Sequence, residues 1–145
     1  MSNYKELVIL IAEDDDGHAE LIIEGLKESG VCNAILRFGN GLEAWEFLTN
    51  AKPTGGRDVA KSYLLLLDIN MPMMNGVELL QKIKTNDNLK EIPVVMLTTT
   101  DDPREVDECY KLGCNMYITK PVQFAKLAEV LNRIGLFFQI VKVIN

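Results

Sequence analysis

At 145 residues, 48% of them apolar and 25% charged, the chain has the length and composition of one soluble globular domain with a real core. Its net charge of −6 and scattered basic residues exclude a nucleic-acid surface, which needs clustered Lys or Arg against phosphates. Three cysteines without metal-ligand spacing and a single histidine argue against a zinc site and for reduced thiols in a cytosolic protein.

The amino-terminal residues 1–6 contain no apolar signal region, and no apolar run approaches the roughly 20 residues that span a bilayer. The protein is therefore expected in the cytoplasm, with no membrane partner. The first strand is the apolar run 7–12. Residues 17–29 place Ala19, Ile22, Ile23 and Leu26 at helical spacing, with Gly30 as the C-cap. A second strand is expected at 33–38, then a helix at 41–50 burying Leu42, Trp45 and Leu48. Residues 51–62, with Pro, two Gly and charges but no periodicity, read as a surface loop.

The third strand is Leu64-Leu65-Leu66-Leu67, and a third helix at 75–85 buries Val77, Leu80 and Ile83. Pro93 opens the fourth strand, 94–97. Asp102 as N-cap and Pro103 at the first helical position start the fourth helix, and Gly113 ends it. Residues 115–119 form the fifth strand, and a fifth helix begins near 123. The apolar runs at 7–12, 64–67 and 94–97 are continuous rather than alternating, as in strands covered on both faces, so the sheet is parallel. Right-handed crossovers then give a doubly wound α/β fold, a five-stranded sheet in the order 2-1-3-4-5. The whole of 1–145 reads as one domain, with a core at about 7–134 and an apolar tail at 135–145.

In such a sheet, functional groups collect beyond the carboxyl ends of the strands. Glu13 and Asp14 follow the first strand, Asp68 the third, Thr98 closes the fourth, and Lys120 the fifth. A carboxylate such as Asp68 can attack phosphorus and form an acyl phosphate. That chemistry needs a cation against the accumulating negative charge and a group that holds the phosphoryl oxygens. Glu13 and Asp14 suit magnesium, which prefers oxygen ligands. Lys120 is placed to reach phosphoryl oxygens as a point charge, and Thr98 offers a hydroxyl. Each member has a plainer reading as well. The run Glu13-Asp14-Asp15-Asp16 could be a solvated turn capping the next helix, a role that is enough for Asp16. Lys120 could be a surface lysine, and Thr98 could simply end a strand. The combination is what is specific.

The chain resembles receiver domains of two-component response regulators across residues about 7 to 134. The resemblance rests on Ala12-Glu13-Asp14-Asp15, Leu67-Asp68-Ile69-Asn70-Met71-Pro72, Gly76, Pro93-Val94-Val95-Met96-Leu97-Thr98 and Tyr117-Ile118-Thr119-Lys120-Pro121. It implies a flavodoxin-like receiver fold and a phosphoryl group accepted on Asp68 from a sensor histidine kinase. It also implies Mg2+ or Mn2+ on Asp14, Asp68 and the backbone carbonyl of Asn70, with Glu13 in support. Thr98 and Tyr117 would be the switch pair, Lys120 the phosphate-binding lysine, and Asn70 and Thr100 the residues that tune the phosphorylated lifetime. The product would be a stand-alone phosphorelay switch, not an enzyme, with output through protein contacts.

The tail holds Leu136, Phe137, Phe138, Ile140 and Val141, more apolar surface than one amphipathic helix hides in its own domain. A patch of this kind marks an interface, here a homodimer; folding back over the end of the sheet is the alternative. Regulators that serve phytochrome-type kinases are similar in length, in the loop before the third strand and in this tail, which implies such a kinase as partner. Two rival functions stand beside the switch. A receiver-like interaction module that never meets phosphate would be favoured by a missing acid, Thr or Lys, and none is missing. An aspartate-nucleophile phosphatase of the haloacid dehalogenase type wants a second aspartate where this chain has Asn70. His18 as a phosphorelay donor is set aside, since it lies one turn into an acidic-ended helix.

Overall fold

The computed structural model describes residues 6–28, 30–50, 55–99 and 102–119. In chain order these form β1 (Leu7–Ala12), α1 (Asp16–Glu28), β2 (Ile35–Phe38), α2 (Gly41–Leu48), β3 (Ser62–Leu67), α3 (Gly76–Lys84), β4 (Val94–Thr98), α4 (Pro103–Leu112) and β5 (Met116–Thr119). The five strands make one parallel sheet in the order β2-β1-β3-β4-β5. This is the flavodoxin-like receiver arrangement. The expected fifth helix and the apolar tail lie outside the described residues.

Alternate residues of β1 serve two separate cores, as the period of two along a strand requires. Val8, Leu10 and Ala12 pack with Leu65, Leu67 and Met96 under Leu48 of α2, Leu79, Leu80 and Ile83 of α3, and Cys109 of α4. Leu7, Ile9 and Ile11 pack with Leu64, Leu66, Val95 and Leu97 under Ile22 and Leu26 of α1. Every residue of β1 is therefore buried, which is why the strand reads as an unbroken apolar run. Val77, Leu42 and Trp45, expected in the core, are only partly buried against it, while Leu79 is fully buried.

Several ends differ from expectation wherever a polar residue takes over sheet hydrogen bonds. β3 begins at Ser62, not Leu64, because the Ser62 N–H donates to the Glu6 carbonyl at 2.8 Å. The adjoining Tyr63 keeps its ring buried and uses its hydroxyl to accept the Asp58 N–H at 2.7 Å. β2 begins at Ile35, not Asn33, since the Asn33 side chain, rather than its backbone, donates to the Leu7 carbonyl at 2.8 Å. Asn115 likewise stands just before β5, its side-chain oxygen accepting the Val94 N–H at 2.9 Å and its own N–H donating to the Val94 carbonyl at 2.8 Å.

The helix boundaries follow side-chain caps. Asn40 and Asn75 accept the N–H groups of Glu43 and Glu78 at the starts of α2 and α3; α2 begins at Gly41 as expected but ends at Leu48 rather than residue 50, and α3 is one residue shorter than expected at each end. Asp102 caps α4 ahead of Pro103, and Gly113, at φ 107°, closes it in the left-handed region, as expected.

Candidate functional site

β1 and β3 are hydrogen-bonded neighbours with Ala12 opposite Leu67, so the residues that follow them, Glu13 and Asp68, emerge side by side. The Asp68 N–H extends the ladder by donating to the Ala12 carbonyl at 3.0 Å. Glu13 is anchored on its other side, its N–H donating to Phe38 at the end of β2 at 3.1 Å. The consequence is two carboxylates at the end of a buried sheet, Glu13 only 1% and Asp68 only 7% exposed. Asp14, next along the turn, is exposed and adds a third carboxylate. Oxygens of Glu13, Asp14 and Asp68 lie within 4.8 Å of one another.

Three carboxylates this close repel one another unless a cation or proton intervenes. An all-oxygen donor set of mixed burial, open to solvent through Asp14, suits a hard divalent ion that keeps part of its water shell. The residues present therefore fit Mg2+ or Mn2+.

The rest of the acidic turn is divided between two other tasks. Asp15, not Asp16, caps α1: its carboxylate accepts the His18 N–H at 2.8 Å and its carbonyl accepts the Ala19 N–H at 3.0 Å. Asp16 instead pairs with Arg37 of β2. Arg37 was not singled out from the sequence, and it also donates from Nε and Nη2 to the Glu13 carbonyl at 3.1 and 2.8 Å. The only sequence signal for it was a lone cation in the strand that flanks an acidic turn. His18 is half exposed, with Nδ1 3.8 Å from a Glu13 oxygen and 4.0 Å from an Asp15 oxygen.

Thr98 ends β4 fully buried, one strand over from Asp68 in the sheet order. Tyr117 lies in β5 opposite Met96. It is partly buried against the core beneath α2, α3 and α4, and its N–H donates to the Tyr110 hydroxyl of α4 at 3.1 Å. Asn70 is exposed in the loop between β3 and α3. That loop is shaped by Met73, at φ 71°, and is closed by the Gly76 N–H donating to the Ile69 carbonyl at 2.8 Å. Lys120, Thr100 and the interface candidates Leu136, Phe137, Phe138, Ile140 and Val141 lie outside the described residues.

A family model described as the response regulator receiver domain matches residues 9–132. A receiver domain from Rhodospirillum rubrum superimposes with a TM-score of 0.77 at 42% identity, covering 92% of this chain and 94% of that one. Response regulator Rcp1 of Synechocystis is 35% identical over 131 residues, covering 90% of this chain and 88% of that protein. Its Mn(2+)-bound structure superimposes with a TM-score of 0.73, covering 90% and 93% of the two chains. The phosphorylated cyanobacterial phytochrome response regulator RcpA gives a TM-score of 0.75 at 32% identity, covering 92% of this chain and 93% of that one.

Proposed function

This chain belongs to the response regulator receiver domain family, and from that premise we propose that Asp68 is its phospho-acceptor, charged by the phosphohistidine of a sensor histidine kinase. The observation that carries the assignment is the convergence of Glu13, Asp14 and Asp68 at the carboxyl ends of β1 and β3. A carboxylate oxygen of Asp68 attacks phosphorus, the bond from phosphorus to the imidazole nitrogen breaks with its electron pair leaving on nitrogen, and an aspartyl phosphate results.

Asp14, Asp68 and the Asn70 carbonyl would hold Mg2+ or Mn2+, with Glu13 supporting. The bound cation supplies charge compensation for the phosphoryl oxygens. The Mn(2+)-bound structure of the similar Rcp1 supports this reading. The Thr98 hydroxyl, held at the end of β4, donates to a phosphoryl oxygen, and Lys120 adds a positive charge. Drawing Thr98 inward leaves room for the Tyr117 ring, which couples the site to the face carried by α4 and β5. Phosphorylation thus biases an element with two arrangements rather than building a new one.

The protein so read is a switch and not a phosphatase, because Asn70 cannot act as the general acid that an aspartate-nucleophile phosphatase needs. Similarity to a phytochrome response regulator supports a phytochrome-type kinase as partner, and a cytoplasmic location is consistent with that reading. Leu136, Phe137, Phe138, Ile140 and Val141 support a homodimer, which sedimentation of the full chain at several concentrations tests.

The deciding experiment is incubation with Mg2+ and a small phosphodonor, followed by intact mass. The wild-type chain gains one phosphoryl group and Asp68→Asn gains none while retaining its fold. Incorporation at the wild-type rate in Asp68→Asn would place the acceptor elsewhere.

A further inference from the structure

Arg37 grips the turn that carries two of the three acids from both of its ends. Opposite Ile11 in the register of β2 on β1, it stands one residue before the end of β1 and reaches past that end to the Glu13 carbonyl. Two of its nitrogens, Nε and Nη2, donate to one acceptor, the Glu13 carbonyl, at 3.1 and 2.8 Å. The third, Nη1, bonds the Asp16 carboxylate. Asp14 lies between these two anchor points.

This arrangement is poorly explained as a stabilising ion pair. Asp16 is 92% exposed in its side chain, and a pair of that kind contributes little to folding. What the guanidinium does supply is direction. A planar fork fixes the plane of the Glu13 carbonyl, and with it the start of the turn from which the Glu13 and Asp14 side chains leave. It also draws the Asp16 carboxylate to itself, and the described acids that do converge are Glu13, Asp14 and Asp68.

We propose that Arg37 is a positioning residue for the divalent-cation site: by clasping the Glu13 carbonyl and the Asp16 carboxylate it holds Glu13 and Asp14 in the geometry that binds the ion. The inference rests on the assignment of that site to Mg2+ or Mn2+ given above. Two effects of Arg37 on the cation have opposite signs, which makes the proposal decidable. As a positive charge near the acids it opposes cation binding, so losing the charge alone would tighten binding. As a brace it favours binding, and losing the fork loosens ligands whose orientation sets affinity. Lysine keeps the charge but not the fork, so it separates the two.

The test measures affinity for Mn2+ alone, by the electron paramagnetic resonance signal of the free ion, in the full chain. Wild type is compared with Arg37→Gln, Arg37→Lys, Asp16→Ala and Asp14→Ala, alongside thermal unfolding of each in metal-free buffer. Arg37→Lys should bind Mn2+ about tenfold more weakly, the size of an outer-shell effect, and Arg37→Gln should be weakened less, because its lost charge offsets part of the lost brace, at temperatures where both are fully folded. Asp16→Ala, which leaves both bonds to the Glu13 carbonyl, should lose less. The Mg2+ concentration for half-maximal phosphorylation by a small phosphodonor should rise in step. Should Arg37→Gln fail to fold, Arg37→Lys carries the comparison. Wild-type affinity in Arg37→Lys, with or without tighter binding in Arg37→Gln, overturns the positioning role while Asp14→Ala still shows the site to be real. Equal binding by wild type and Asp14→Ala overturns the site and the brace together.

Discussion

Gly76, the first residue of α3, lies so close to Asp68 that a Cβ on it would collide with the Asp68 carbonyl oxygen and stand 2.8 Å from the Ile69 Cα. The chain leaves β3 at Asp68, makes the loop through Asn70 and Met73, and returns α3 against its own starting point. The Gly76 N–H closes that return on the Ile69 carbonyl at 2.8 Å. Absence of a side chain at residue 76 therefore lets the helix seat against the backbone of the residue that we assign as phospho-acceptor.

Gly76→Ala should destabilise the protein by about 1–3 kcal/mol, as overpacking of a close contact does. It should also slow phosphorylation under conditions where the variant is fully folded, because the backbone that must yield carries Asp68. Gly41→Ala is the control: a Cβ there would collide with the Met74 carbonyl, at the far end of the same loop. It should cost similar stability with a smaller effect on phosphorylation. Denaturant unfolding and phosphodonor kinetics on both variants check this, and a Gly76→Ala protein with wild-type midpoint and rate would contradict it.

The parts of this architecture that were legible in the sequence are those set by local physics. A strand buried on both faces must be apolar throughout, so β1, β3 and β4 stood out, and their order along the chain with intervening helices left few sheet topologies. The acids of the site were legible because Glu13 and Asp68 directly follow such strands and Asp14 comes next along the turn. The ends of β2, β3 and β5 were not, because Asn33, Ser62 and Asn115 satisfy the sheet or its neighbours with side-chain or isolated backbone bonds that carry no periodic signal. Nor could the roles of four successive acids be divided in advance. Which of Asp15 and Asp16 caps α1 depends on the turn geometry, and Asp16 is drawn away by Arg37, a residue 21 positions distant.

By the resemblance to receiver domains, Asn70 and Thr100 are expected to tune how long the phosphoryl group stays on the proposed acceptor. Asn70 is exposed on the loop that follows Asp68, where its amide can orient an attacking water. Thr100 has only a short hydroxyl for the same task. Asn70→Ala and Thr100→Ala should each still accept phosphate. Each should change the rate of its loss by about threefold to tenfold, the worth of one hydrogen bond. Following decay of the phosphorylated mass after removal of the donor measures this, and unchanged lifetimes in both variants would remove these residues from the account.

The three cysteines divide sharply by environment, with Cys32 exposed and Cys109 and Cys114 buried. Burial, reinforced by Cys114, Glu105 and Glu108, pushes the Cys109 thiol from 9.0 up to about 11. Burial also raises Cys114, with Lys84 acting against it. A native thiol that holds its proton more tightly than the unfolded one contributes stability that is complete below about pH 9 and is lost as pH rises toward 11. For Cys109 the full effect is on the order of 3 kcal/mol. Lys84 acts with the opposite sign, since burial lowers it, and its native state becomes relatively more stable as pH rises toward its unfolded value of 10.5. The contribution of Cys109 is isolated by comparing wild type with Cys109→Ala: the wild type should lose stability between pH 9 and 11 more steeply than the variant. At pH 8 a thiol reagent should label Cys32 quickly and the other two only after denaturation. Equal labelling rates for all three in the native protein, or parallel pH profiles for wild type and Cys109→Ala, would show that Cys109 is not shielded as the structure places it.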